Sequence, residues 1–305
     1  MRVAALAGGV GGAKLLVGLQ RAVGRDLTAI VNTADDTEMY GVHVSPDVDI
    51  VTYWLGGIAD TERGWGIDGD TFTVIDGLAE LGTESWFRLG DRDLATCLYR
   101  TERLRAGESL SAVTRDVAAA LGVVATVLPM SDDPVRTQVT TRSGEVLEFQ
   151  EYFVRERTRP EVSQVLFAGV EGAKPAPGVV EGIHESDVVV VCPSNPILSV
   201  GPILSLPGVR DALREHERVI AVTPIVRGAA LRGPAARLLS SLGSEASASE
   251  VARLYADFCT TFVVDKSDPS ETEPVAALGI RPLVVDTIMS DVDASENLAR
   301  ALLEQ

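Results

Sequence analysis

The chain has 305 residues, 46% hydrophobic and 23% charged. That composition supports a sizeable buried core and excludes disordered, collagen-like and disulfide-stapled chains. Its 27 basic and 44 acidic residues give a formal charge of −17, which repels nucleic-acid phosphates and anionic membrane surfaces. An anionic ligand must then be held by local backbone dipoles, a few basic side chains or a metal ion. Cys97, Cys192 and Cys259 lie far apart, as do the three histidines, and neither set has zinc-binding spacing. The apolar start ends at glycines after a few residues, and no 18-residue apolar run follows. The expected setting is the cytoplasm.

Val3–Ala7 is expected as the first strand. Ala13–Val23, with Leu15, Leu16, Leu19 and Val23 at helical spacing, is expected as the first helix, and Leu27–Val31 as the second strand. From about Asp60 to Arg159 the rhythm changes. Thr71–Leu81, Leu94–Ala106 and Leu110–Leu121 have helical patterns, the last with Ser109 as N-cap. Val135–Thr141 and Glu145–Phe149 form a hairpin around Ser143-Gly144. Asp187–Cys192, Arg218–Val222, Thr261–Asp265 and Arg281–Val285 are short, mostly β-branched runs, each followed by turn residues; Ser295–Glu304 closes the chain as a helix. Apolar strands alternating with helices predict an α/β fold: a doubly wound, mostly parallel, Rossmann-like sheet covered on both faces. One domain over residues 1–305 is expected, with an inserted helical and hairpin subdomain at about 60–160.

Gly8-Gly9-Val10-Gly11-Gly12-Ala13-Lys14 joins the first strand to the first helix. Glycines there let the backbone approach a ligand while the amides at the helix start point at an anion. A P-loop needs Gly-Lys-Ser/Thr, and Ala13-Lys14-Leu15 stands in that place. A dinucleotide fingerprint begun at Gly9 needs a small residue where Lys14 stands and an acid where Asn32 closes the second strand. A nucleotide or diphosphate fits this turn better than ATP hydrolysis or NAD.

Three acidic clusters follow: Asp35-Asp36 with Glu38, Asp47 with Asp49, and Asp91 with Asp93. Oxygen ligands at the carboxyl ends of parallel strands suit Mg²⁺. Helix capping or solvated loop charge accounts for part of any such set, and Asp47 and Asp93, each beside a helical stretch, are the first candidates for capping. Trp86-Phe87-Arg88 suits either a flat conjugated ligand or core packing. Trp65 between Gly64 and Gly66 is either a ligand-facing lid or a loop anchor. Cys192-Pro193-Ser194-Asn195-Pro196 and Thr223-Pro224 end two later strands in stiff polar loops. Cys192 has no histidine in a partner motif and is expected as a buried structural thiol.

Taken in order, the glycine turn through Leu15, Asn32-Thr33-Ala34-Asp35-Asp36, Ser45-Pro46-Asp47-Val48-Asp49, Trp86 through Thr96, Phe149-Gln150-Glu151-Tyr152-Phe153-Val154 and Cys192 through Pro196 resemble one family. That family is the 2-phospho-L-lactate transferases of coenzyme F420 biosynthesis, whose actinobacterial members are phosphoenolpyruvate transferases. The resemblance runs from about Met1 to Asp268. It implies a transferase that moves a phosphoenolpyruvyl or 2-phospho-L-lactyl group from a guanosine diphosphate ester to the ribityl hydroxyl of the deazaflavin Fo. GMP would leave, giving coenzyme F420-0 or its dehydro form. The resemblance also implies Mg²⁺ as cofactor, a homodimer, and deazaflavin-binding positions at Asp49 and Arg88.

Phosphoryl transfer needs positioning and charge neutralisation more than protein covalency. Asp35, Asp36 and Asp91 are the candidate Mg²⁺ ligands. Gly9, Gly11, Gly12 and Lys14 would hold the phosphates, with Ser194 and Asn195 on the guanosine moiety. Asp49 and Arg92 are the candidate catalytic groups: Asp49 to anchor the ribityl chain or accept the proton, Arg92 to stabilise the leaving phosphate. Asp49→Ala and Arg88→Ala are expected to remove activity and leave the fold intact. Small-molecule substrates, and neither nucleic acid nor membrane, are the expected partners. The competing readings are a non-enzymatic nucleotide-sugar-binding regulator resembling the gluconeogenesis factor, and an NAD-dependent dehydrogenase.

Overall fold

A computed structural model describes residues 1–230 and 233–305. Seven strands form one parallel sheet: β1 (Val3–Ala7), β2 (Leu27–Val31), β3 (Thr126–Pro129), β4 (Val188–Val191), β5 (Val219–Val222), β6 (Thr261–Asp265) and β7 (Arg281–Val285). Their spatial order is β3-β2-β1-β4-β5-β6-β7. The chain builds outward from β1 to one edge, returns to the middle, and builds outward again from β4. This is the doubly wound arrangement that the alternating pattern predicts.

The strands are apolar throughout because both faces are covered. Ala4 and Leu6 of β1 join one buried cluster with Val189 and Val191. Val3, Ala5 and Ala7 point the other way and pack with Val188 and Val190. On this second face lies α1 (Gly9–Val23), crossed by the closing helix Val292–Leu303. Asp291 caps that helix by accepting from the Ala294 amide at 2.8 Å.

The helix α2 (Pro46–Leu55) is not evident from periodicity, since Val48, Ile50, Val51 and Thr52 favour strands in isolation. Proline at its first position and Asp47 and Asp49 in its first turn favour a helix start there. Its Val48, Val51 and Leu55 face then buries against the sheet. Three further helices, α3 (Thr73–Glu80), α4 (Asp91–Arg105) and α5 (Leu110–Ala120), follow, the last capped by the Ser109 hydroxyl as expected. The expected insertion at about 60–160 is interrupted. β3 lies inside that span yet pairs with β2 as the edge of the main sheet. The hairpin Arg136–Thr141 and Val146–Glu148 gains a third antiparallel strand, Val162–Ala168. Among the described residues no helix is long and apolar enough to cross a membrane.

Candidate active site

The loops after β1, β4, β5 and β7 line one cavity of about 780 Å³. β1 and β4 are sheet neighbours whose following segments leave toward opposite edges, so the cavity sits at the switch point where such sheets bind ligands. α2 also lines it, together with Trp65, Trp86, Phe87 and Arg88 and with Phe149 and Phe153. The Phe149 and Phe153 rings stack at 5.3 Å.

The glycine turn is built for close approach. Gly9 has φ +63°, a conformation that disfavours side chains. A Cβ on Gly11 would meet the Pro193 carbonyl oxygen at 2.6 Å. Gly9 and Gly11 line the cavity; Gly12 faces Ala7 and the Ser194 hydroxyl instead. Ser194 locks the turn to the β4 loop, its hydroxyl accepting from the Gly8 amide at 3.1 Å and donating to the Gly8 carbonyl at 2.8 Å. Asn195 lines the cavity, and its Oδ1 accepts from the Ile197 and Leu198 amides, while its Nδ2 is buried without a hydrogen bond. Lys14 also lines the cavity, donating to the Met289 carbonyl at 2.9 Å.

Asn32, where a dinucleotide site would carry an acid, is buried, and its Nδ2 donates at 3.0 Å to both Asp35 Oδ2 and Asp47 Oδ2. Asp47 also accepts from the Gly9 amide at 2.9 Å. It therefore ties α2 to the glycine turn and faces the cavity, rather than merely capping a helix. Burial, partly offset by these hydrogen bonds, pushes the Asp47 carboxyl up to about 6. Burial and the neighbouring Asp47 hold Asp35 well above the ordinary carboxylate range. Asp35 Oδ1 is buried without a hydrogen bond of normal geometry, as is the adjacent Thr137 hydroxyl.

The three candidate metal ligands do not converge. Asp35 lines the cavity. Asp36 is outside its lining and is held by the Ser45 hydroxyl at 2.7 Å and His43 at 2.9 Å. Asp91 turns away to fasten α3, accepting from the Thr71 hydroxyl at 2.6 Å and the Thr73 and Val74 amides. Asp70 does the reverse, accepting from the Arg92 and Asp93 amides at the start of α4. The exposed Arg92 guanidinium lies outside the cavity lining and donates to the Asp68 carbonyl at 3.1 Å.

Arg88 lies on the aromatic wall, over the Phe72 ring at 4.8 Å and paired with Asp76 at 2.6 Å. Asp49 is more deeply set than expected. It is 4% exposed and both its oxygens accept from Arg100, itself 1% exposed. Burial pushes the Asp49 carboxyl up and the guanidinium opposes that rise. Removing Asp49 would strand a buried cation, so the expectation that Asp49→Ala leaves the fold intact is corrected. Next to this pair, Asp93 lines the cavity and accepts from the Tyr53 hydroxyl at 2.8 Å. Cys192 is buried, and burial pushes its thiol far above the ordinary range, as fits a structural thiol.

Residues 3–299 match the family described as 2-phospho-L-lactate transferase CofD. The chain belongs to the CofD family. Over 311 residues it is 45% identical to the phosphoenolpyruvate transferase of Streptomyces griseus, covering 100% of this chain and 98% of that one. Over 295 residues it is 42% identical to the 2-phospho-L-lactate transferase of Methanosarcina acetivorans, covering 96% and 95%. A UPF0052-family protein from Bacillus halodurans superposes with a TM-score of 0.69 over 99% of each chain at 16% identity, a likeness of fold alone. CofD-family membership makes the chain a transferase and disfavours the regulator and dehydrogenase readings.

Tyr53 and Arg100, which the sequence analysis does not name, have a recoverable signal. Asp93, Cys97 and Arg100 fall at i, i+4 and i+7 on α4, and Asp49 and Tyr53 at i and i+4 on α2, so each set shares one helix face. Those two faces meet through the Asp49–Arg100 and Tyr53–Asp93 contacts. The cavity residues Thr287–Ser290 are marked only by their place after the last strand.

Proposed function

We propose that this protein joins a deazaflavin to a phosphoester group. The ribityl hydroxyl of Fo attacks the distal phosphorus of a guanosine diphosphate ester of enolpyruvate or lactate, and GMP leaves. The observation that carries this reading is one cavity lined by two chemically different sets of residues. The glycine turn and Lys14 offer amides and an ammonium suited to phosphates, and Trp86, Phe87 and Arg88 offer a wall suited to a flat ring system. A family assignment and relatives carrying both transferase names support it.

The all-oxygen donor set at Asp35 and Asp47 fits Mg²⁺, with the unsatisfied Asp35 Oδ1 as the atom that lacks a partner. These two would hold the ion, in place of Asp36 and Asp91. When bound, it would draw charge from the diphosphate. Lys14 and the turn amides stabilise the leaving phosphate in this scheme, because Arg92 stands outside the cavity. Asn195 Nδ2, buried and unsatisfied, is suited to an acceptor on the guanosine moiety. Arg88 steadies the deazaflavin. The family resemblance alone supports a homodimer and a cytoplasmic setting. Incubation with Fo, the guanosine diphosphate ester and Mg²⁺ should release one GMP per molecule of product; UDP-sugar binding without turnover would reject the reading.

A further inference from the structure

Transfer from a hydroxyl requires somewhere for its proton to go, and four carboxylates line the cavity: Asp35, Asp47, Asp49 and Asp93. Three are engaged. Asp47 accepts from the Gly9 amide and Asn32. Asp35 shares that Asn32 amide, and its other oxygen is the one assigned to Mg²⁺ above. Asp49 has both oxygens on the Arg100 guanidinium. Asp93 differs. Its Oδ1 is fixed by Tyr53, while Oδ2 has no hydrogen-bond partner among the described residues and is not fully shut off. Asp93 sits in the first turn of α4, just beyond the aromatic wall and Arg88.

We propose that Asp93 is a catalytic residue: its carboxylate accepts the proton of the attacking hydroxyl, and Tyr53 is the positioning residue that aims it. This rests on the transfer reaction proposed above. As the O–H bond breaks, the proton moves to Asp93 Oδ2. The oxygen's electron pair forms the new O–P bond. The P–O bond to GMP breaks, and its electron pair leaves with GMP. The proton then passes to solvent before the next turnover.

The surroundings suit this exchange. The charged and titratable groups facing Asp93 are Asp49 and Tyr53 from α2, Cys97 and Arg100 from α4, and Asp70 from the loop between α2 and α3. One cation thus stands among several acids. Burial first, and then the Asp49 charge, push the Asp93 carboxyl up to about 7, with Tyr53 opposing them. A carboxyl near neutrality can take and release a proton within each turnover. Asp49, Asp93 and Cys97 do place ligand atoms within 4.8 Å of one another, but the Arg100 guanidinium on Asp49 disfavours a metal there.

The test is GMP release from the full-length enzyme with Fo, the guanosine diphosphate ester and Mg²⁺, measured across pH. The wild-type kcat should rise through an acid limb near 7 and level off. Asp93→Asn should lower kcat about 10²- to 10⁴-fold, with both KM values changed less than about threefold, and should abolish the limb. Tyr53→Phe should move the limb to higher pH by about a unit, a change that a packing defect would not produce. Asp93→Asn retaining a tenth of wild-type kcat with the limb intact would overturn the proposal. If Asp93→Asn does not fold, Tyr53→Phe decides, and an unmoved limb overturns it. A wild-type enzyme that releases no GMP would reject the transfer reaction itself and this role with it.

Discussion

Arg100 grips both carboxylate oxygens of Asp49 inside the cavity wall, and neither residue is more than 4% exposed. The pair fixes where Asp49 sits and sets the cost of altering it. Breaking a buried pair by removing one partner costs about 3–5 kcal/mol, whereas replacing both with apolar groups is often near neutral. Asp49→Ala should therefore shift the urea midpoint sharply downward, and Asp49→Leu with Arg100→Met should recover most of that loss. A single variant as stable as wild type would contradict the buried pairing.

Arg88 gives the opposite pattern. Its side chain is 39% exposed and its partner Asp76 is 61% exposed. Such a pair contributes about 0–1 kcal/mol. Arg88→Ala should unfold at nearly the wild-type urea concentration, while its KM for Fo rises about tenfold or more. Unchanged Fo kinetics would remove Arg88 from the deazaflavin wall.

Ser194 joins two loops through one hydroxyl. Its loss leaves the buried Gly8 amide and carbonyl short of a partner, a cost of about 1–3 kcal/mol. Ser194→Ala should lower stability by that amount and raise the KM for the guanosine ester more than that for Fo. Equal effects on both substrates would argue against a phosphate cradle at this turn.

The carboxyls predict an unusual pH response in metal-free protein. Asp93 and Asp47 are pushed up to about 7 and about 6, in both cases chiefly by burial, against about 3.9 in an unfolded chain. The folded state therefore holds extra protons in that window, and stability is lost as pH rises from about 4 through about 7. In EDTA, Tm should decline between about pH 5 and about pH 7.5. A Tm that climbs across this interval would contradict the burial of these groups. Asp265 has the opposite sign. Burial raises its carboxyl, but hydrogen bonds from Ser267 and Thr287 outweigh that and bring it down to about 2. Its contribution is present above about pH 4 and lost as pH falls toward 2.

The main sheet was legible because strands buried on both faces, such as Val188–Val191, read as unbroken apolar runs. β3 was not legible, since Thr126–Pro129 is four residues at an edge with one exposed side chain. The glycine turn, Asp35 and Asn195 could be placed at the cavity from chemistry and loop position, and Asp49 and Arg88 from the family resemblance. Asp91 and Arg92 could not, because sequence proximity to Arg88 does not reveal that Asp91 faces α3 and Arg92 the Asp68 loop. Asp47 and Asp93 resemble caps in a linear reading. Only tertiary packing turns them into a cavity wall.

The most direct measurement is product analysis after mixing the purified protein with Fo, Mg²⁺ and the guanosine diphosphate esters of enolpyruvate and of lactate. GMP and a phosphodiester of Fo should form in equal amounts, with mass identifying the group transferred. Recovery of both substrates unchanged, with the folded protein saturated by a nucleotide sugar or NAD instead, would contradict it.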